Sequence, residues 1–443
     1  MCCYTSIVCR YRFYPLAKPD DMKIRHRLIQ IRSLTDIDGI RVGLGIVALG
    51  IVFLLLLLTA FPSLTPDVLL DLVLTFIAAL SGVYLSRALI LHQVARTDRE
   101  RILAPAAVQE RYPDISGVLD ESRLSNVHDG AALPDALPVV VQRGLFEGTD
   151  PTMPVDSTDN VYELPPSIEA FLEPLHDDLL ARFSNEGRSN RRLAGIDSIC
   201  DGRIRLYETS YFRTYCTNLS PDYTGDSGDQ SLREAFRADL IEDGQLKPLA
   251  STPFSNALSG GGLAVTTDGQ TVVGLRSLNV TVDEYELTDS FGSSLGIRAV
   301  ESTGVLGALE QTAQTELRAA DGRSLSFEAV YGLGIARRLD WLGQPNLHGI
   351  YLVDAPSGLV HQSGDHIESI TVSATNHAPV TPETLSDPAF ARDMVCSILE
   401  ACADRGLQSG VTLATTLELW LRRVEESPES PSAADPNRPV SSP

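Results

Sequence analysis

Two long apolar runs near the start of the chain and a period-two pattern through its middle set the first expectations. From Val42 to Phe61, VGLGIVALGIVFLLLLLTAF holds twenty residues and no charge. At about 1.5 Å rise per residue a helix of that length covers roughly 30 Å, the thickness of the hydrocarbon core of a bilayer. A turn, PSLTPD, leads straight into a second apolar run from Leu69 to Leu91. A secretory signal peptide has a shorter apolar core and a small-residue cleavage site, so the pattern predicts a transmembrane helical hairpin over 42–92, preceded by a segment 1–41. Arg25, Arg27, Arg32 and Arg41 precede the first run, and Arg87, Arg96, Arg99 and Arg101 border or follow the second. The turn carries no basic residue, so both ends are expected on the cytoplasmic side. Asp67 and Asp71 fall at the outer interface, as solvated helix ends do. Small residues recur every fourth position, Gly39 and Gly43, then Ala78, Gly82 and Ser86. That stripe suits close helix packing within one hairpin or between copies.

Beyond the runs, HQVARTDRERILAPAAVQERY is charged and helix-compatible, and the Pro, Asp and Gly-rich stretch after it lacks sustained periodicity. Residues 93–165 are therefore expected to form a helical and flexible tether. A folded domain is expected over 166–425, with helix in PPSIEAFLEPLHDDLLARFS and strands in the middle. In GGLAVTTDGQTVVGLRS two β-branched runs flank Asp268-Gly269, a dipeptide suited to a tight hairpin turn. FEAVYGLGIARRL and HGIYLVDA read as further strands. DPAFARDMVCSILEACADR, with Asp387 as N-cap, and LATTLELWLRRVEES read as late helices. The class is mixed α/β, and the composition of residues 426–443 suits a disordered tail.

Composition narrows the partners. The formal charge of −22 over 443 residues argues against DNA or an anionic membrane surface as the main electrostatic partner, while a local basic pocket can still hold phosphate. Seven cysteines without CxxC pairs suggest reduced thiols and no zinc site. Met22 opens MKIRHRLIQIRS and reads as an alternative start, with residues 1–21 as an upstream extension.

One stretch carries candidate chemistry. LEQTAQTELRAADG, Leu309 to Gly322, resembles the central helix of a Nudix hydrolase, in which glutamates gather on one helical face to hold divalent metal against a pyrophosphate. Ala313, Glu316, Leu317 and Gly322 fit that pattern, Thr315 replaces its arginine, and Ala319 and Ala320 replace a glutamate pair. Hard cations such as Mg2+ need oxygen ligands, so the alanines remove most of the metal cage. An amphipathic core helix with Leu306, Leu309, Ala313 and Leu317 at helical spacing gives the same pattern without any such ancestry.

TYCTNLSPDY upstream, the glycine-rich hairpin, the box-like stretch and ARRLDWLGQPNLHGIYLVDA downstream follow one another after a membrane hairpin. In that order the chain resembles the membrane-anchored Nudix effectors of cyclic-oligonucleotide antiviral systems in prokaryotes, from Val42 to about Asp354 and more weakly to Arg423. The resemblance implies an α+β Nudix-like sandwich that senses a cyclic nucleotide messenger made by a partner nucleotide cyclase. It further implies a homo-oligomer in the inner membrane whose hairpins disrupt the bilayer, with no cofactor. Under the alternative, a tethered Nudix hydrolase, Glu301, Glu310 and Glu316 would supply a displaced Mg2+ site. Glu310 and Glu316 are six positions apart and point to different sides of a helix. Candidate ligand-binding residues are Arg276, Arg298, Arg337, Arg338 and Trp341, because arginine forks grip phosphate and aromatic rings stack on bases. Asn256 and the run Gly260 to Gly262 are further candidates for close approach to a ligand.

Overall fold

The computed structural model describes residues 102–426 except 114, 120–122, 129–131, 143–153, 186–187, 201–202, 225–229, 277–285, 363–365 and 375–378, together with Thr75. The predicted membrane hairpin apart from Thr75, the segment 1–41 and the tail after Glu426 lie outside the described residues. Among the described residues no helix is long and apolar enough to cross a membrane.

The chain enters with α1 (Pro105–Arg111), β1 (Val139–Gln142), β2 (Val155–Val161), α2 (Pro166–Leu172) and α3 (His176–Asn185). A hairpin of β3 (Arg192–Cys200) and β4 (Arg203–Ser210) leads to α4 (Tyr211–Thr217), the one-turn helices α5 (Leu232–Ala235) and α6 (Arg237–Leu240), and the short pair β5 (Ile241–Glu242) and β6 (Gln245–Leu246). The central part holds β7 (Ser259–Thr266), β8 (Gln270–Arg276), β9 (Leu287–Thr288), β10 (Phe291–Ser294), α7 (Ile297–Glu316) and β11 (Leu317–Ala319). There follow β12 (Phe327–Arg338), β13 (Gln344–Val353), β14 (Val360–Gln362) and β15 (His366–Ser373), then α8 (Pro382–Leu385), α9 (Pro388–Arg405) and α10 (Val411–Glu425).

The fold is mixed α/β and rich in sheet. An eight-stranded sheet runs in the order β1-β12-β13-β7-β8-β15, with β10 added to β7 and β9 to β8. Its β13–β7 pair is parallel and its other pairs are antiparallel. Successive residues of a strand face opposite sides, and β7 shows which helix covers each. A Cβ on Gly260 would meet Leu309 Cδ1 of α7 at 3.1 Å, whereas one on Gly261 would meet Asp289 Oδ2 at 2.4 Å. Asp289 Oδ2 in turn accepts from Thr416 of α10 at 2.9 Å. Thus α7 covers one face and α10 the other.

Against the α7 face, Leu258, Ala264, Val305, Leu309, Ala313, Leu347 and Tyr351 form a core that extends to Ile196 and Leu206 of the smaller β2-β4-β3 sheet. A second core joins Val108 and Tyr112 to α2, α3 and α4 through Ile168, Leu179, Phe183 and Tyr215. The Asp268-Gly269 turn closes β7 to β8 as predicted, with Gly269 at φ 75°. β12 and β13 occupy the expected stretches, and Asp387 caps α9 by accepting from Ala389 N at 2.9 Å.

Two expectations are corrected. The described parts of 93–165 are built into the fold. Val108 and Val139 are fully buried, β1 forms the sheet edge against β12, and Leu103 N donates to Asp222 Oδ2 at 2.8 Å. The segments there are too short to show periodicity, so their burial left no pattern to read. The helix expected over Pro165 to Ser184 is divided into α2 and α3 by a tight turn at Glu173–Leu175. Pro174 lacks an N–H and crowds the preceding turn, which ends a regular helix. α7 is interrupted at Gly304, whose φ of 74° and ψ of 176° suit a residue without Cβ.

Candidate anion-binding site

The box-like stretch begins in α7 but leaves it early. Ala313 is fully buried under the sheet, while Thr315 is exposed and returns its hydroxyl to Gln311 O at 2.8 Å. The helix ends at Glu316, and Leu317 is already extended at ψ 129°. Leu317 and Ala319 point inward from β11 and Arg318 points outward, a strand alternation completed by antiparallel pairing with β14. Ala319 and Ala320 therefore do not lie on the helical face with Glu316, as the sequence pattern suggested. The short run LRAA fits either period, and the cross-strand partner decides between them. The chain then turns at Gly322, with φ 80°, and Gly322 N donates to Ala319 O at 2.9 Å.

This strand and turn shape a recess of about 440 Å³ lined by Gln314, Arg318, Ala320, Arg323, Ser324 and His361 among others. Register places Arg318 directly opposite His361. Arg318 forms no ion pair among the described residues, and Arg323 meets Asp321 only at 3.5 Å with both side chains about half exposed. An exposed pair of that geometry contributes little. The recess thus presents two guanidinium groups and an imidazole against one weakly engaged carboxylate. Guanidinium forks match phosphate oxygens, and the volume suits a small-molecule ligand.

The three acids that could have formed a displaced metal site have separate engagements. Glu301 Oε1 accepts from Ser157 Oγ at 2.5 Å, Glu310 Oε1 accepts from Gln314 Nε2 at 3.0 Å, and Glu316 Oε2 accepts from Gly292 N at 3.0 Å. Burial holds the Glu310 carboxyl above its ordinary value. Among the described residues no group of three or more His, Cys, Asp or Glu side chains is placed to hold a metal ion.

The predicted ligand residues do not converge. Arg298 is exposed in the first turn of α7, and Arg276 is half-buried at the end of β8; neither lines the recess. Arg338 is an internal residue. Its Nε and Nη2 donate to Asp340 at 3.1 and 2.5 Å, its Nη1 donates to Thr412 at 2.7 Å, and its guanidinium lies 3.6 Å from the Trp341 ring centroid. With exposures of 2% and 5%, Arg338 and Trp341 pack against each other, which corrects their expected place on a ligand face. Arg337 lines a different cavity. Asn256 holds the loop before β7 by donating to Leu249 O and Thr252 Oγ1. Gly260 to Gly262 make room for Leu309, Asp289 and Phe291, so packing and not a ligand explains that run. The recess residues Arg318, Arg323 and His361 were missed. Arg318 lies in a run that fits either period, and both its placement and that of His361 follow from strand pairing that no local pattern encodes.

No protein-family description matches the chain, and neither does any curated protein. Solved structures give weak likenesses. The protein DR0079 from Deinococcus radiodurans is 14% identical with a TM-score of 0.23 over 36% of this chain and 80% of that one. A Nudix hydrolase from M. smegmatis, RenU, is 12% identical with a TM-score of 0.17 over 34% of this chain and 90% of that one. Scores of this size establish no shared fold, so the reading below rests on the residues.

Proposed function

We propose that the chain is a membrane-anchored sensor in an antiviral defence system, in which a Nudix-like domain binds a cyclic nucleotide messenger without cleaving it. The reading places the chain in the inner membrane with both termini cytoplasmic, as a homo-oligomer whose apolar hairpins disrupt the bilayer once ligand is bound. A partner nucleotide cyclase would supply the messenger. The observation that carries it is the recess after α7, where Arg318 of the stretch that resembles a metal-binding box stands with Arg323 just beyond it and His361 on the paired strand. Phosphodiester oxygens find donors there directly, with no bridging cation required by the ligand's charge. Because a ligand shifts an equilibrium only through unequal affinity for its two states, the reading also requires two arrangements of the assembly.

The test uses the full chain reconstituted in dye-loaded liposomes and challenged with a panel of cyclic di- and trinucleotides. One member should bind and release dye. The paired change Arg318→Ala and Arg323→Ala should weaken its binding by about 10- to 100-fold, the loss expected when charge-assisted hydrogen bonds are removed. Leakage without nucleotide, no binding across the panel, or Mg2+-dependent turnover of nucleoside diphosphate derivatives abolished by Glu316→Gln would each overturn the reading.

A further inference from the structure

Among the described residues only Val161 and Leu180 are large apolar side chains left exposed, and Leu180, at 42%, does not stand alone. It follows His176 by four positions on α3, so the two side chains are neighbours on one helical face. The His176 ring meets Phe212 of α4 edge-on at 5.9 Å, and Phe212 and Tyr211 both rest on the buried Phe183, at 5.1 and 5.8 Å. Phe212 and Tyr211 are each half-buried. Leu180, His176, Phe212 and Tyr211 thus form an apolar and aromatic strip at the surface.

Its two ends carry opposite charge. At the α3 end the Asp177 side chain is fully exposed and meets His176 Nδ1 at 3.5 Å. Glu169 in α2 and Glu173 in the turn before α3 are exposed and form no ion pair among the described residues. At the α4 end the guanidinium groups of Arg188 and Arg191 each lie 5.9 Å from the Tyr211 ring centroid. Arg188 Nη1 donates to the Tyr211 hydroxyl at 3.0 Å, and Arg191 Nη2 donates to Ser293 Oγ at 2.8 Å. Arg191 is exposed and forms no ion pair among the described residues. Its backbone O accepts from Tyr211 N at 3.0 Å, and Asn190 Oδ1 accepts from Phe212 N at 2.9 Å, which fastens the arginine segment to the strip.

A single exposed leucine needs no explanation. The order acid, apolar, base along one face is different, because a two-fold rotation about its middle lays each acidic end on the arginine end of an identical face. A nucleic acid or an anionic bilayer that met the arginines would be repelled by Asp177 and Glu173. We propose that this face is an isologous contact between two copies of the chain, with Leu180 packed near the two-fold axis and Asp177 of each copy facing Arg191 of the other. The opposed charges fix register and exclude unlike partners. The inference deepens the homo-oligomer of the reading above and rests on that reading for its partner being a second copy.

Full-length Leu180→Cys protein is reconstituted in liposomes and treated with bismaleimidoethane, and peptide mass spectrometry scores a link between position 180 of two copies, which no reaction within one chain can give. The link should form. Adding Arg191→Glu or Asp177→Arg should lower its yield about tenfold, because an isologous face repeats each reversed contact. Reconstituting the two charge variants together should restore the link, since each reversed charge then faces its opposite. Both positions are exposed, so thermal unfolding of the variants should be unchanged. No link in Leu180→Cys, an equal yield in either charge variant, or no recovery in the mixture would overturn the interface. Nucleotide-dependent dye release is scored on the same liposomes. Release without the link sinks this contact and leaves the sensor reading standing, and the link without release does the reverse.

Discussion

Individual residues decide where the chain has no freedom. Gly261 faces Asp289 Oδ2 so closely that a methyl group at 2.4 Å cannot be accommodated without displacing a buried carboxylate. Gly261→Ala should therefore destabilise the protein by about 1–3 kcal/mol in denaturant unfolding, the usual range for overpacking. Asp268 does more than serve a turn. It accepts from Ser357 N, Ser357 Oγ and Thr266 Oγ1, and although burial alone would raise its pKa, these donors hold it below the ordinary 3.8. A carboxylate with a depressed folded pKa stabilises above its unfolded value and loses that contribution as pH falls through the folded one. Asp268→Asn should accordingly be less stable by about 1–2 kcal/mol near neutrality. The gap should narrow as unfolding is measured below pH 3.8. The composition of the turn was legible in the sequence, but the long-range Ser357 contact was not.

Among elements, those with one sustained period and a clear end were readable. α9 has Asp387 at its start and Gly406 in the left-handed region at its finish, and β12 and β13 contain the apolar segments AVYGLGIA and GIYLV. The stretch from Leu309 to Gly322 was harder, because α7 passes into β11 without a glycine or proline at the junction. Pairing with β14, not local preference, ends the helix. The break earlier in α7 makes a contrasting prediction. No atom lies within 4 Å of a Cβ built at Gly304, so Gly304→Ala meets only the backbone penalty of a φ/ψ region that is essentially restricted to glycine, about 1–3 kcal/mol. Thermal unfolding should show the loss, and a crystal structure of the variant should show no displaced neighbours. A loss accompanied by shifts in the sheet would contradict that account.

Across the whole molecule, a buried polar seam couples the sheet to α10. His348 Nδ1 and Thr416 Oγ1 share a hydrogen bond of 2.8 Å, Thr416 reaches Asp289, and Arg338 reaches Thr412. Burial, aided by the charge of Arg338, lowers the His348 pKa from 6.5 to about 3. The folded state keeps this ring neutral, while the unfolded chain protonates it below 6.5. Stability associated with His348 is thus complete above 6.5 and declines as pH falls toward 3. Equilibrium unfolding across that interval should lose about one proton's worth of slope in His348→Asn. An unchanged slope would show that the ring is not held neutral. Little of this seam was visible beforehand, since its members are scattered over β12, β13, α10 and the loop before β10.

The contact between Leu103 and Asp222 has a mechanical meaning. Asp222 also holds Arg233, so the segment that begins at residue 102 is fastened at Leu103 to an internal ion pair. A pull applied at residue 102 would therefore load the Asp222 carboxylate first and then Arg233, whose Nη1 and Nη2 donate to the carbonyls of Leu339 and Asp340 next to β12.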